Sequence, residues 1–246
     1  MHRFYVDSGA ISGDTITITN SDVNHIKNVL RLTRGESLII CDGEGRDFSC
    51  IIESIDNNEV LLKIIDSYEN ETELPGKVYL FQGIPKKDKM ELIIQKSVEL
   101  GVYEIVPVTT KRTIVKIRDK KRENKKIERW QSIATSAAKQ SIRGIIPKIH
   151  SPMTFTQAID YGKNLEFKLI PYEKARDIKA TRDIIHGIKD KKSIGIFIGP
   201  EGGFDEDEIN HAKNNDFISI TLGKRILRTE TAAIALISMI MLELEK

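Results

Sequence analysis

Two polar loops near the end of the chain contain the residue types from which a ligand site can be built. The first, GPEGG at 199–203, follows the apolar run 194–198, and the second, GKRILR at 223–228, follows the apolar run 217–222. Glycine allows backbone amides and carbonyls to approach a ligand closely. The carboxylates and guanidinium groups in and beside these loops are candidates for proton transfer and for stabilising negative charge. We therefore expect the chemistry to be centred on these loops.

Several common kinds of site are excluded. The chain contains no GxxxxGK[ST] phosphate loop and no GxSxG elbow, and GPEGG is not GxGxxG because Pro200 and Glu201 interrupt it. The histidines are scattered, and Cys41 and Cys50 lack CxxC spacing, so we expect buried free thiols and no metal site. The pattern favours a metal-free site that recognises its ligand largely through the backbone.

The scaffold of the loops begins near residue 77, where predicted strands and helices start to alternate, which is typical of a parallel sheet covered on both faces. The carboxyl ends of parallel strands meet at one edge, so both loops are expected to form a single site there. Gly101 and Gly144 are expected to end helices in a left-handed conformation, and Thr229 to cap the last helix. The predicted strands lie near 78–82, 104–109, 148–150, 167–171, 194–198 and 218–222, and the helices near 87–100, 123–143, 154–161, 178–186, 205–214 and 230–244.

The first part of the chain has a different rhythm. Short alternating segments separated by turn residues predict a small β-barrel, and apolar residues at helical spacing predict one helix at 22–32. The polar run 69–73 before Pro75 and Gly76 is predicted to be a linker. We therefore predict a β-barrel domain at 1–70 and an α/β domain at 75–246. The predicted barrel strands are 15–19, 37–41, 48–55 and 59–65.

Composition limits the function further. The chain has 246 residues, of which 40% are hydrophobic and 30% charged, and no apolar run approaches the length of a membrane span. The N-terminal residues lack the apolar region of a secretory signal, so a cytoplasmic location is the default prediction. The net charge is only +2, but 111–126 is strongly basic. This run is either a solvated surface or a phosphate-binding surface for RNA.

The paired loop motifs are similar to those of a known family. GPEGGF at 199–204 with LGKRILRTETA at 222–232 closely resembles the signature of the ribosomal RNA small-subunit methyltransferase E family, within the knotted SPOUT methyltransferases. The resemblance covers nearly the whole chain. It includes KDKMELIIQKSVELGV at 87–102, RWQSIATSAAKQSIR at 129–143 and NVLR at 28–31.

The resemblance implies S-adenosylmethionine-dependent methylation of a uridine N3 in 16S rRNA of the small ribosomal subunit, either as RNA or as an assembled subunit. It also implies a homodimer with the site near the subunit interface, a PUA-like RNA-binding barrel, and a C-terminal trefoil knot whose loops surround the cofactor. It implies neither a metal nor a membrane partner. Periodicity alone would not predict a knot, because knots are very rare.

Two groups of residues are predicted to bind ligands, one group RNA and the other the cofactor. RNA contacts are expected from Arg3, His25, Arg31, Lys87, Lys89, Arg112, Gln140, Arg143 and Arg225. Cofactor contacts are expected from Ile198, Gly199, Pro200, Glu201, Gly202, Leu222, Gly223, Arg225, Ile226, Leu227, Thr229 and Thr231.

The candidate catalytic residues are Arg228, Glu230, Glu201 and Arg143. Uridine N3 is a poor nucleophile until it loses its proton, so the enzyme must favour the uridine anion. Arginine stays protonated and is unsuited as a base, but it can stabilise charge on a uracil carbonyl. Glu201 and Glu230 are the available bases, with solvent as the alternative. Glu230 and Arg143 also suit the helix ends at which they are predicted, which would explain them structurally.

Two other functions remain open at the level of sequence. One is RNA 2′-O-methylation, because related knotted enzymes attack ribose hydroxyls. The other is a non-catalytic RNA-binding role in ribosome assembly, without cofactor affinity. The last helix is apolar over much of its circumference, which suits burial on more than one side or against a symmetric partner.

Overall fold

The computed structural model describes residues 2–19, 21–114 and 119–245. The chain forms two compact units. The first contains residues 1–73 together with 138–146, and the second contains 74–137 and 147–246. The inclusion of 138–146 in the first unit was not indicated by the sequence, and the domain boundaries 1–70 and 75–246 stay predictions.

The first unit is built on a six-stranded sheet with the order β1-β4-β5-β6-β3-β2. The pairing is antiparallel except between β1 and β4. Apolar side chains from all six strands pack in one core cluster, to which β2 contributes the partly buried Ile11. The strands are β1 (Arg3–Tyr5), β2 (Ile11–Ser12), β3 (Thr15–Ile18), β4 (Ser37–Cys41), β5 (Arg46–Ile55) and β6 (Val60–Glu69).

The helix predicted at 22–32 is shorter and irregular. It consists of α1 (Asp22–Asn24) followed by a wide π-helical turn at His25–Val29. The backbone N–H of Leu30 donates to His25 O, five residues earlier. This extra residue in the turn leaves Val29 60% exposed, although helical spacing predicted that it would face the core. Tertiary packing, which the pattern does not contain, therefore changes the period here.

The polar run predicted as a linker is structured. Glu69 is still in β6, and Asn70 donates to Asp47 Oδ2 at 2.9 Å. Glu73 accepts hydrogen bonds from the backbone N–H groups of Gly144 and Ile145. The linker prediction was wrong because these polar side chains form hydrogen bonds within the first unit.

The second unit contains a parallel sheet, as predicted, with the order β10-β8-β7-β12-β11-β13 and with β9 paired to β8. The strands are β7 (Lys77–Gly83), β8 (Val102–Thr109), β9 (Lys148–Ile149), β10 (Met153–Thr154), β11 (Phe167–Pro171), β12 (Ser193–Ile198) and β13 (Ile218–Ile220). The helices are α2 (Lys89–Glu99), α3 (Lys120–Gln140), α4 (Phe155–Gly162), α5 (Ile178–His186), α6 (Glu206–Lys213) and α7 (Thr229–Leu244).

The two central strands of this sheet, β7 and β12, are buried on both faces. Leu80, Phe81, Ile196 and Phe197 are completely buried, although neighbouring residues of a strand point to opposite faces. Both faces are therefore covered, and the rings of Phe81 and Phe197 stack with their centroids 4.3 Å apart. This accounts for the continuous apolar runs from which a parallel sheet was predicted.

Three details of the helix ends test the predictions. Gly101 has a φ of +90°, as expected of a left-handed helix end. The prediction for Gly144 was wrong, because α3 ends at Gln140 and Ile142 takes the left-handed conformation with a φ of +60°. The cap prediction was also wrong: Arg228 occupies the N-cap position of α7 without a side-chain hydrogen bond, and Thr229 is the first helical residue.

No helix within the described part of the chain is long and apolar enough to cross a membrane. The edge at the carboxyl ends of the parallel strands is the feature that positions the candidate site. Gln82 at the end of β7 is in register with Ile198 at the end of β12, and Pro171 is in register with Ile220. Both polar loops leave the sheet at this edge.

Candidate functional site

A cavity of about 490 Å³ lies at the carboxyl edge of the parallel sheet, within the size range of small-molecule sites. Both glycine-containing loops contribute to its wall, together with the end of β11, the start of α7 and one residue of α2. The lining residues are Lys89, Pro171, Tyr172, Glu173, Ile198, Gly199, Pro200, Glu201, Gly202, Gly203, Phe204, Thr221, Leu222, Gly223, Lys224, Arg225, Ile226, Leu227, Arg228, Thr229 and Ala232.

The first loop folds tightly because its glycines leave no side chain in the way. Gly203 has a φ of +65°, and its N–H donates to Pro200 O at 2.8 Å. A Cβ on Gly83, at the end of β7, would lie 2.5 Å from Pro200 Cδ. Glycine at position 83 therefore permits the close approach of β7 to the loop.

Thr229 ties the start of α7 to this loop. Its hydroxyl donates to Gly199 O at 2.6 Å and accepts from Gln82 Nε2 at 2.9 Å. Gln82 is completely buried, and its Oε1 has no hydrogen-bond partner within the described residues. Gln82 was not predicted from the sequence, because a polar residue at the end of an apolar strand carries no signal of a partner 147 residues away.

The second loop presents charge and one apolar side chain at the cavity. Gly223 has a φ of +110°, and Thr221 Oγ1 accepts a hydrogen bond from its N–H at 3.2 Å. Arg225 and Arg228 are exposed, Leu227 is half-buried, and Ile226 is 92% exposed. The loop therefore contributes the apolar side chain of Leu227 and two arginines to the cavity wall, and contact of Leu227 with a cofactor stays a prediction.

Lys89 lies between the two carboxylates that were predicted as candidate bases. Its Nζ is 3.0 Å from Glu201 Oε1 and 3.5 Å from Glu230 Oε2. Glu230 Oε2 is buried and has no hydrogen-bond partner within the described residues, so Lys89 interacts with it as a charge. Glu201 also accepts from the backbone N–H of Lys86 at 3.2 Å.

These contacts determine the charge states of the pair. Burial raises the pKa of Glu201, but hydrogen bonds from its own backbone N–H, Lys89 and Lys86 outweigh burial and hold the pKa below its ordinary value. The hydrogen bond to Glu201 raises the pKa of Lys89. At neutral pH the carboxylate of Glu201 is therefore ionised, and the ammonium of Lys89 keeps its proton.

Arg112 and Lys111 contact the first loop and the helix that follows it. Arg112 Nη1 donates to Gly202 O at 2.9 Å, and Lys111 Nζ is 3.1 Å from Asp205 Oδ1. Because its guanidinium already has this acceptor, Arg112 stabilises the loop. RNA contact by Arg112 remains a prediction, and residues 115–118 of the same basic run lie outside the described residues.

The structure collects most of the predicted cofactor residues at the cavity. All of them line it except Thr231, which is exposed on α7. Of the predicted catalytic residues, Arg228 and Glu201 line the cavity, and Glu230 reaches it through Lys89. Lys89 was predicted only as an RNA contact, and its position between two carboxylates had no signal in the sequence.

Arg143 has a different environment from the one predicted. It lies in the first unit, its side chain is only 3% exposed, and its Nη2 is 2.5 Å from Glu73 Oε2. Arg143 does not line the cavity, and its buried ion pair stabilises the first unit. The geometry gives it a structural role, and the catalytic and RNA-binding roles of Arg143 stay predictions.

The other predicted RNA contacts divide by exposure. Arg3 forms an ion pair with Asp47 at 2.7 Å and is largely buried, so it too has a structural role, while its contact with RNA stays a prediction. Those with exposed side chains can reach a ligand, and for them RNA contact stays a prediction. They are His25, Arg31, Lys87, Gln140 and Arg225.

The cavity combines backbone recognition, an apolar wall and a charged rim. Within the described residues no group of three or more His, Cys, Asp or Glu side chains could hold a metal ion. Nearby cations and carboxylates can orient a polar substrate and stabilise charge that develops on it.

Comparison with known proteins identifies two matching family models. Residues 72–241 match a model described as an RNA methyltransferase domain, and residues 18–65 match an RNA methyltransferase PUA domain. A ribosomal RNA small subunit methyltransferase E from Bacillus subtilis is 37% identical over 100% of this chain and 98% of its own length.

Solved structures agree with these matches. A ribosomal RNA small subunit methyltransferase E from Neisseria gonorrhoeae, solved with S-adenosylmethionine bound, is 34% identical, with a TM-score of 0.80 over 97% of this chain and 95% of that chain. A putative methyltransferase from Legionella pneumophila, also solved with S-adenosylmethionine, is 33% identical, with a TM-score of 0.80 over 97% and 96%.

Proposed function

Because the chain belongs to the ribosomal RNA small-subunit methyltransferase E family, we propose that it methylates N3 of a uridine in 16S rRNA, with S-adenosylmethionine as the methyl donor. The observation that carries this proposal is the cavity at the sheet edge, which both family-like loops form together. RNA methyltransferase activity is the property of the family, and uridine N3 is the finer part of the proposal.

The residues of the cavity fit S-adenosylmethionine. The loop glycines allow its backbone to approach a ligand, since a Cβ on Gly199 would lie 3.1 Å from Gly203 Cα. Leu227, Ile198 and Ala232 provide apolar surface for an adenine ring. When bound, S-adenosylmethionine supplies a methyl group that is already activated by its sulfonium.

The charged residues of the cavity then act on the uracil. N3 must lose its proton before it can act as a nucleophile, and the resulting charge spreads to the carbonyl oxygens. Arg228 is exposed at the cavity, and a guanidinium group there supports stabilisation of this charge by hydrogen bonding. We therefore assign stabilisation of the uracil anion to Arg228. We assign binding of the cofactor to the two glycine-containing loops, 199–203 and 223–228.

Labelled S-adenosylmethionine and small ribosomal subunits from a strain that lacks the modification provide the test. The expected result is label on a uridine N3, identified by nuclease digestion and mass analysis. Label on a ribose 2′-oxygen would establish the alternative methylation, and RNA binding without cofactor affinity in calorimetric titration would establish a non-catalytic role.

We further propose that the protein is a homodimer and acts in the cytoplasm. In support, Met239 and Leu242, three residues apart on one face of α7, are 37% and 72% exposed, so a second copy packed against this face would bury both. Leu242→Glu should yield a monomer in light scattering, whereas Ile65→Glu, at a similarly exposed site of the first unit, should not. A wild-type monomer at micromolar concentration would contradict the dimer.

The trefoil knot is also carried over from the family.

A further inference from the structure

Lys89 occupies a position that the stability of its own helix does not explain. It is the first residue of α2, where the positive end of the helix dipole disfavours a cation. Two carboxylates from distant parts of the sequence, Glu201 and Glu230, hold its ammonium in place. Glu230 lies in the first turn of α7, so two helix N-termini and one lysine converge beside the cavity.

The ammonium of Lys89 retains capacity to bind a ligand. A lysine has three N–H donors. One is used by Glu201, and another faces the more distant oxygen of Glu230. Within the described residues no third acceptor is recorded for Lys89, whose side chain is 28% exposed and lines the cavity. One donor therefore remains for a polar atom of a bound substrate.

Proton removal by Glu201 is disfavoured by the same contacts. A general base works best when its pKa is near the working pH, but the pKa of Glu201 is held below its ordinary value. A carboxylate of this kind is too weak a base for a uridine N3, which ionises only in alkaline solution. The ammonium of Lys89, together with the cavity's arginines, can instead lower the free-energy cost of ionising N3.

We propose that Lys89 is a catalytic residue that donates a hydrogen bond to a uracil carbonyl oxygen and stabilises the N3 anion. This inference rests on the proposed function. In the step concerned the N3–H bond breaks, its electron pair stays on the uracil, and the proton passes to solvent water. Glu201 and Glu230 are positioning residues that fix the ammonium at the cavity.

Other charges at the cavity bear on this step. Arg225, Arg228 and Lys224 also line it and favour the anion, whereas Glu173 opposes it. The combined negative charge of Glu201 and Glu230 is larger than the single positive charge of Lys89. Lys89 therefore stabilises the N3 anion through a directed hydrogen bond and not through the net charge of the group. A neutral replacement of the same length therefore removes the effect, and arginine retains part of it.

The test compares Lys89→Met and Lys89→Arg with Lys96→Met, a control on the same helix that forms a separate pair with Glu99. In N3 methylation assays we expect Lys89→Met to lower kcat by about 100- to 1,000-fold, as for loss of one charge-stabilising donor. KM for RNA and calorimetric affinity for S-adenosylmethionine should change little. Lys89→Arg should recover part of the rate, and Lys96→Met should match the wild type.

A substrate with a more acidic N3 separates this role from a structural one. With small subunits reconstituted from rRNA that contains 5-fluorouridine, the kcat deficit of Lys89→Met should shrink to roughly tenfold, because N3 ionises more readily. An undiminished deficit, a normal kcat in Lys89→Met, or a deficit accounted for by lost cofactor affinity would overturn the inference. Absence of wild-type N3 methylation would instead refute the proposed function.

Discussion

At the scale of single residues, the same side-chain type has different roles in the two units. Arg228 is exposed at a cavity, whereas Arg143 is buried against Glu73. A buried guanidinium requires a partner because removing a charge from water is costly. Glu73 meets this requirement and also accepts two backbone N–H groups, so it stabilises the turn after α3.

Glu73→Ala should therefore lower the free energy of unfolding by about 3–5 kcal/mol, since the substitution removes the carboxylate that pairs with the buried charge of Arg143. Urea unfolding followed by circular dichroism measures the change. Glu71→Ala, at an exposed position two residues earlier, is the matched control and should change stability by less than about 0.5 kcal/mol. Equal effects of both substitutions would contradict the structural role of the pair.

The two thiols provide a prediction about pH. Burial raises the pKa of Cys41 to about 11 and that of Cys50 also to about 11. The thiolate is the reactive form, so at pH 8 only about one thiol in a thousand is ionised in the folded protein. Iodoacetamide should modify both slowly under native conditions, faster as the pH rises toward 11, and rapidly in urea. Rapid native labelling, measured by mass spectrometry, would contradict their burial.

At the scale of elements, the site depends on how closely three chain segments meet. The end of β7, the loop after β12 and the start of α7 are joined by the hydrogen bonds of Gln82, Thr229 and Gly199. None of these contacts lies within one helix or strand. Cofactor affinity should therefore depend on how these elements pack as well as on which residues the loops contain.

Gly83→Ala should weaken binding of S-adenosylmethionine at least tenfold in calorimetric titration. The added methyl group would lie 2.5 Å from Pro200 Cδ and 2.6 Å from Pro200 N, so the first loop must move. Gly9→Ala is the control, because nothing lies within 4 Å of a Cβ there, and it should leave affinity unchanged. Unchanged affinity in Gly83→Ala would show that the loop can shift without harm to the site.

At the scale of the whole molecule, RNA affinity must come from the distribution of charge, because the net charge is only +2. The first two turns of α3 carry exposed lysines at a helix N-terminus, where cations are unfavourable. Helix stability therefore does not account for them, and we propose that they bind RNA phosphates. They are Lys120, Lys121, Lys125 and Lys126.

The double substitution Lys120→Glu and Lys121→Glu should weaken RNA binding and reduce the dependence of log affinity on log salt by about 1–2. Glutamate is favoured at a helix N-terminus, so lost affinity would not reflect a less stable helix. Lys189→Glu with Lys192→Glu makes the same change of charge at other exposed sites and is the control. Filter binding across a salt series measures both, and equal loss in both variants would contradict a localised surface.

Local sequence determined much of the protein. The parallel strands and most helices were predicted because their apolar periodicity is local, and α6 begins close to the predicted residue with Asp205 as a capping box. The two loops were predicted as one site because each follows a parallel strand, and the carboxyl ends of parallel strands lie at one edge of the sheet. The two loop motifs together also indicated the family, because recognising a motif requires only the residues within it.

Only the tertiary structure decided which polar groups meet. Lys89 contacts Glu201, Arg143 contacts Glu73, and Gln82 contacts Thr229, at separations of 112, 70 and 147 residues. Each pair joins side chains that have no periodic relation in the sequence, so no pattern predicts it. Their positions follow from the packing of whole elements, and that packing changed Lys89 from one cation among many into the centre of the candidate site.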